Sequence, residues 1–202
     1  MASFEREKDL VQYLLPRLDL SGAEIHDPNA GGTETGIDVS VKLADGRMVG
    51  VQVTEIDPHD RPGFARAQEK KDAKAAAGGP YSGWAQNNPS VIRDAIKRSI
   101  ERKVEIAAKH SFDGYNEVWL LLCASIPEPG AVVATFVMPK FLTAEDLNLE
   151  TDDLLQQSKY HRCFLLPIIS IGDPRPFYQW SKPSRWEKRV ESDGIRHVPR
   201  AE

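Results

Sequence analysis

Two neighbouring stretches of alternating apolar and polar residues constrain the fold of this 202-residue chain more than any other feature. The first covers residues 37–43 and the second residues 49–54. Alternation with a period of two is typical of half-buried β-strands. It therefore predicts that Ile37 and Val39 share one face of a strand with the next apolar residues, while Asp38 lies on the other.

The segment Ala44-Asp45-Gly46 between the two stretches predicts a three-residue hairpin loop with Gly46 in the left-handed conformation. This loop sets Val41 opposite Val49 and Val39 opposite Val51, and the same register continued outward sets Asp38 opposite Gln52. A two-residue turn would mix the polar and apolar faces. The pattern thus favours the longer loop and places an acid beside an amide.

Composition excludes several classes of protein. The chain has about the length of one domain and lacks both a secretory signal and an apolar run near the ~20 residues of a membrane span, so we expect a cytoplasmic protein with no membrane partner. Its two cysteines and five scattered histidines form no disulfide framework or zinc motif, and neither a P-loop nor a Gly-x-Ser-x-Gly elbow occurs.

Charge is distributed unevenly along the chain. The formal net charge of -4 argues against nonspecific coating of nucleic acid, yet basic residues concentrate in residues 93–110 and near the C-terminus, and residues 1–60 are acid-rich. Such segregation suits metal-binding acids beside phosphate-contacting bases. The candidates for contacting nucleic acid are Lys97, Arg98 and Arg102. Ordinary solvated faces with local acidic partners are the alternative, and both interpretations stay open.

Two predicted helices carry a charged residue on the apolar face. In residues 4–15 the apolar side chains cover one arc with Glu7 near its middle, so Glu7 either reaches the rim, meets an arginine or serves a site. In a helix of about residues 91–109, with Ser90 as N-cap, Lys103 projects into the isoleucine stripe and Lys97 lies just beyond its edge. A buried cation is costly unless it reaches an anion.

The remaining elements give an α/β order. Residues 23–26 predict a short strand, residues 117–126 a central buried strand, residues 131–138 another strand, residues 143–157 a capped helix and residues 163–171 a further apolar segment. We assign residues 1–172 to one domain and residues 173–202 to a C-terminal α+β extension, with a polar tail or short docked helix from Arg185. Trp84, Trp180 and Trp186 could stack on bases, but we expect them to pack.

The order helix, strand, hairpin, helix, strand resembles the α-β-β-β-α-β core of the PD-(D/E)XK nuclease superfamily, with a mixed central sheet flanked by helices. Gly36-Ile37-Asp38 resembles its Pro-Asp element, Gln52-Val53-Thr54 its second motif, and the segment around Glu7 the acidic first helix of the Holliday-junction-resolvase and Mrr-like branches. The resemblance covers roughly residues 4–125.

The sequence departs from the family pattern at two positions. Ile37 replaces a proline that only shapes the start of the strand, and Thr54 replaces a lysine that would steady charge on the scissile phosphate. Because some members supply this lysine from the following helix, we expect Lys103 to substitute for it, with Lys97 as second choice. A distance above about 10 Å between the Lys103 amine and the Asp38 carboxylate would exclude this role, which requires contact at ~3 Å.

The resemblance implies metal-dependent hydrolysis of phosphodiester bonds in DNA, with Asp38, Gln52, Lys103 and Glu7 as catalytic residues. The implied ligands of Mg²⁺ or Mn²⁺ are Asp38, Glu7, the side-chain oxygen of Gln52 and the Val53 carbonyl. A neutral Gln52 should weaken the ion, which favours manganese in vitro.

Two alternatives remain. The first is a catalytically inactive member of the fold that binds nucleic acid or protein, and the second is an unrelated α+β domain. The sequence leaves the oligomeric state open, including a homodimer.

Overall fold

The structure, a computed structural model, describes residues 2–32, 35–56, 89–124, 142–166 and 177–189. The predicted α/β fold with a mixed sheet is confirmed, and the described elements begin in the predicted α-β-β-β-α-β order. The elements are α1 (Ala2–Leu14), a 3-10 helix (Leu15–Leu18), β1 (Glu24–His26), β2 (Val39–Lys42), β3 (Met48–Ile56), α2 (Pro89–Lys109), β4 (Glu117–Ala124), α3 (Ala144–Gln157), β5 (Arg162–Leu166), β6 (Phe177–Ser181) and β7 (Glu187–Arg189).

The seven strands form one sheet in sequence order. Strands β1, β2 and β3 pair antiparallel, β3, β4 and β5 pair parallel, and β5, β6 and β7 pair antiparallel. The near-continuous apolar run of β4 reflects its central place, because Trp119 and Leu120 at successive positions are buried on opposite faces.

Helices cover both faces of the sheet. On one face, Leu10, Val11 and Leu14 of α1 pack against the valines of the hairpin. On the other face, Ile96 and Ile100 of α2 pack together with Leu147 of α3. Each helix thus buries the apolar stripe that its sequence presents. None of the α-helices within the described ranges combines the length and apolar character that a membrane span requires.

The register predicted for the β2–β3 hairpin is confirmed. Val41 pairs with Val49 and Val39 with Val51. The loop closes through a hydrogen bond from the Gly46 N–H to the Leu43 carbonyl, and Gly46 has a φ of +85°. Glycine adopts this left-handed conformation without strain, which explains the three-residue loop.

The regular ladder does not continue to Asp38. The Asp38 N–H donates to the Val51 carbonyl, although Val51 already pairs with Val39. Two residues of one strand thus face one residue of the other, which is the arrangement of a β-bulge. The extra residue reverses the alternation, so Ile37 packs in the α2-side core over Gly50, and its predicted place beside Val39 is wrong.

Other boundaries differ in detail. Helix α2 begins at Pro89, so Ser90 lies inside the helix and is not its N-cap. Proline is favoured in a first helical turn because its missing N–H has no partner there. The predicted strand at residues 131–138 lies outside the described residues. The tail or helix predicted from Arg185 is wrong at Glu187–Arg189, which form β7 and extend the same sheet.

The predicted start of α3 is confirmed, and so is the packing of two tryptophans. Thr143 caps the helix, and its hydroxyl and the Asp146 carboxylate form a reciprocal capping box. Trp180 and Trp186 are buried in the α2-side core. Trp84 lies outside the described residues.

Candidate active site

A polar site forms where the β2–β3 ladder ends and β3 continues alone on that side. The Val53 N–H donates to Oδ2 of Asp38 at 2.7 Å, so the carboxylate takes the place that a strand carbonyl would have. The N–H and C=O of one strand residue point to the same side. The Val53 carbonyl therefore also faces the side of the strand on which Asp38 lies.

Lys103 reaches this carboxylate from helix α2. Its Nζ lies 3.4 Å from Oδ2 of Asp38, with the Lys103 side chain 15% exposed and the Asp38 side chain 29% exposed. The helical period places Lys103 on the same face as Ile96 and Ile100, which are fully buried against the sheet. The amine therefore lies within the distance that the expected role requires, and the pair remains partly open to solvent.

Gln52 has partners that differ from those of a metal ligand. Its Nε2 donates to the Gly36 carbonyl, its Oε1 accepts from the Tyr160 hydroxyl, and the residue is only 2% exposed. Gly36 has a φ of +71°, and a Cβ there would lie 2.7 Å from the His110 ring. The Gln52 amide thus ties β3 to the segment that precedes Asp38.

Tyr160 is a residue that the sequence did not predict. Its hydroxyl lies within hydrogen-bonding distance of both Gln52 Oε1 and the Lys103 carbonyl, where the O–O distance is 3.1 Å. Burial raises the pKa of this phenol, with smaller contributions from Cys163 and from Asp38, so the hydroxyl keeps its proton at neutral pH. The one proton lies between two acceptors from β3 and α2.

Glu7 lies on the other side of the sheet from Lys103. It is half-buried on α1, whose apolar stripe packs against the face opposite to α2. Burial raises the pKa of the nearby Cys123 thiol to about 12, and the charges of Glu55 and Glu7 add to this increase. Glu7 is therefore close to the end of β3, but on the Cys123 side.

The donor set for a metal ion is smaller than the resemblance implies. In the part of the chain that the structure describes, no group of three or more His, Cys, Asp or Glu side chains could hold a metal ion. The Gln52 amide is buried and already bonded, which leaves the Asp38 carboxylate and the Val53 carbonyl. Such a set fits Mg²⁺ or Mn²⁺ only when waters and a substrate phosphate complete the shell, as is common for magnesium.

The basic residues of α2 have different surroundings. Lys97 pairs with Glu150 of α3 at 3.4 Å and lies away from the Asp38–Lys103 pair, so it does not serve as the second choice. Arg102 donates to the Thr54 hydroxyl at 3.4 Å, at the position where the resemblance leads one to expect a lysine. Nη2 of Arg98 is buried and has no hydrogen-bond partner among the described residues.

No protein-family model matches this chain, and no curated protein or solved structure matches it either.

Proposed function

We propose that this protein hydrolyses phosphodiester bonds in DNA with the help of a divalent metal ion, as a divergent member of the PD-(D/E)XK nuclease superfamily. The observation that supports this most strongly is the 3.4 Å contact between Lys103 and Asp38 beside the open end of β3. In this proposal, Lys103 from the following helix would supply the lysine that the motif lacks at Thr54.

Each side chain has a defined role in this proposal. Asp38 and the Val53 carbonyl would hold Mg²⁺ or Mn²⁺, and the bound ion would lower the pKa of a water and polarise a phosphate oxygen. The Lys103 ammonium would stabilise negative charge that develops on the phosphate, and its partial burial would strengthen that effect. Arg102, which is exposed on the same helix, would contact the DNA backbone.

The proposal is tested with supercoiled plasmid and branched DNA in the presence of Mg²⁺ or Mn²⁺. Asp38→Asn keeps an oxygen acceptor for the Val53 N–H but removes the charge, and Lys103→Met keeps the aliphatic stem. We expect each to slow cleavage by about 10²–10³-fold, the usual loss when a group that stabilises transition-state charge is removed.

Two matched controls separate the site from general charge effects. Lys109→Met removes an exposed lysine from the last turn of the same helix, and Asp113→Asn removes an exposed carboxylate from a turn. Both should cleave within about threefold of wild type, as surface substitutions rarely disturb a fold. Wild-type rates in Asp38→Asn, or no cleavage by the wild type with either metal, would refute the proposal.

A catalytically inactive DNA-binding module is the second candidate. It is favoured by the bonds of Gln52, because an amide held by Tyr160 and Gly36 contributes no ligand to an ion. In that case the wild type would bind DNA and slow its migration in a gel in a salt-dependent way, without cutting it. Lys103→Met would weaken this binding only slightly. A cytoplasmic location and a homodimer stay predictions within this proposal.

A further inference from the structure

We infer that Tyr160 is a positioning residue that holds Lys103 against Asp38, and that Gln52 is the anchor of this arrangement and not a ligand of the metal ion. The inference rests on the proposed function for its kinetic test only. Its structural test requires no catalytic activity, so the two can fail separately.

Three separate pieces of the site meet at the Tyr160–Gln52 contact. Gln52 belongs to β3 and donates to the carbonyl of Gly36, two residues before Asp38. The Tyr160 hydroxyl faces both the Gln52 amide and the Lys103 carbonyl of α2. Tyr160 itself is fully buried. A shift of α2 along the sheet would thus break the contact between the Tyr160 hydroxyl and the Lys103 carbonyl and leave the hydroxyl bonded to Gln52 alone.

The same contact fixes the separation of the two charged groups. Lys103 contributes its carbonyl to Tyr160 and its ammonium to Asp38, so one residue is held at both ends. Asp38 is fixed by the Val53 N–H, one residue after Gln52. Because catalytic groups must be held to within about 0.5 Å, a buried hydroxyl that joins both elements is a direct means of setting the distance.

A single substitution distinguishes the two possible roles of Gln52, metal ligand and anchor. If Gln52 were a metal ligand, Gln52→Glu would add a charge and tighten Mn²⁺ binding. If Gln52 is an anchor, the same change removes the donor to the Gly36 carbonyl and places an acid in a site that is 2% exposed. We then expect lower stability and no gain in Mn²⁺ affinity, measured by calorimetric titration.

The structural test is a double-mutant cycle of Asp38→Asn and Lys103→Met, measured by urea unfolding in wild type and in Tyr160→Phe. In the wild type, we expect the interaction between Asp38 and Lys103 to change the unfolding equilibrium constant by about threefold, as for other partly exposed ion pairs. In Tyr160→Phe the coupling should fall towards onefold. The matched control is Tyr115→Phe, which removes a hydroxyl bonded to Ser40 and should leave the coupling unchanged.

A role for Tyr160 in stability alone would lower the stability of Tyr160→Phe but preserve the coupling, and this result would overturn the inference. So would a rise in Mn²⁺ affinity in Gln52→Glu. Should Tyr160→Phe not fold, nuclear magnetic resonance of the wild type decides, since the shared hydroxyl proton must be protected from solvent exchange. Free exchange of that proton contradicts the arrangement.

The kinetic test applies if the wild type cleaves DNA. Tyr160→Phe should lower kcat by about tenfold or more, because small misplacements of catalytic groups are costly, and should leave KM for DNA nearly unchanged. An unchanged kcat with a raised KM would contradict the positioning role. A wild type that does not cleave refutes the proposed function, and the inference is then judged by the cycle.

Discussion

The close packing of Ile37 over Gly50 makes a quantitative prediction. A Cβ at position 50 would lie 2.8 Å from Cδ1 and 3.1 Å from Cγ1 of Ile37, and 3.2 Å from Cδ1 of Tyr115. Gly50→Ala therefore forces Ile37 to move, and Ile37 is joined directly to Asp38. The substitution should disturb both stability and the candidate site.

The magnitude follows from two opposed effects. Overpacking of a filled core usually costs about 1–3 kcal/mol. Replacing glycine by alanine also restricts the unfolded chain, which raises the free energy of unfolding by about 0.4–1 kcal/mol. We expect Gly50→Ala to lower the free energy of unfolding by about 0.5–2 kcal/mol. Ile37→Val removes Cδ1, the nearest atom, and should by itself cost about 0.5–1.5 kcal/mol.

The double variant tests the reasoning. With Cδ1 absent, Gly50→Ala should cost at least about 0.5 kcal/mol less in the Ile37→Val background, which exceeds the usual deviation from additivity at independent sites. Urea unfolding followed by circular dichroism measures all four proteins. Gly31→Ala is the control, because a Cβ at Gly31 meets nothing within 4 Å. Additive effects at positions 37 and 50 would refute the proposed clash.

Four further predictions concern individual side chains. Thr143→Ala should cost about 1 kcal/mol because it removes an N-cap. The Thr143 hydroxyl, more than any other group, lowers the pKa of Asp146 below the unfolded value of 3.8. The ionised Asp146 carboxylate therefore stabilises the fold above that pH, and this stabilisation is lost as the pH falls through the folded pKa. The loss of unfolding free energy caused by Asp146→Asn, measured in urea, should shrink from pH 6 to pH 3. Burial raises the pKa of Cys123 and Cys163, so neither thiol should react with Ellman's reagent at pH 8 until urea unfolds the chain. Glu117→Gln should cost about 1 kcal/mol, less at high salt, because the carboxylate accepts from Arg47 and from the Trp119 indole and forms an ion pair with Arg162.

The hairpin shows how far local sequence determines structure in this chain. Its register depends on a short loop and on the alternation of valines, and both are visible in the sequence. The bulge at Asp38 is not, because it depends on distant groups: Gly36 is held by the Gln52 amide and packs against the His110 ring. Alternation alone therefore placed Ile37 on the wrong face.

In the candidate site, too, some features are predictable from local sequence and others depend on distant contacts. Helical periodicity was sufficient to predict that Lys103 projects towards the sheet, since Ile96 and Ile100 define the buried stripe. Tyr160 gave no comparable signal, because it lies in the short segment between α3 and β5, which has no periodic pattern. The bonds of Gln52 depend on Tyr160 and could not be anticipated either. Long-range contacts thus decide the chemistry of residues whose strands are locally predictable.

The position of Thr54 gives a physical reason why a cation would come from the helix. Thr54 is buried on the α2-side face of β3, and its hydroxyl already accepts from Arg102. A lysine at position 54 would place a buried cation beside that guanidinium, which is unfavourable. Arg102 and Lys103 are about 100° apart around α2, so one reaches Thr54 while the other reaches Asp38. In the proposed function the charge at the phosphate therefore depends on the register between α2 and β3, and the buried Tyr160 hydroxyl joins those two elements.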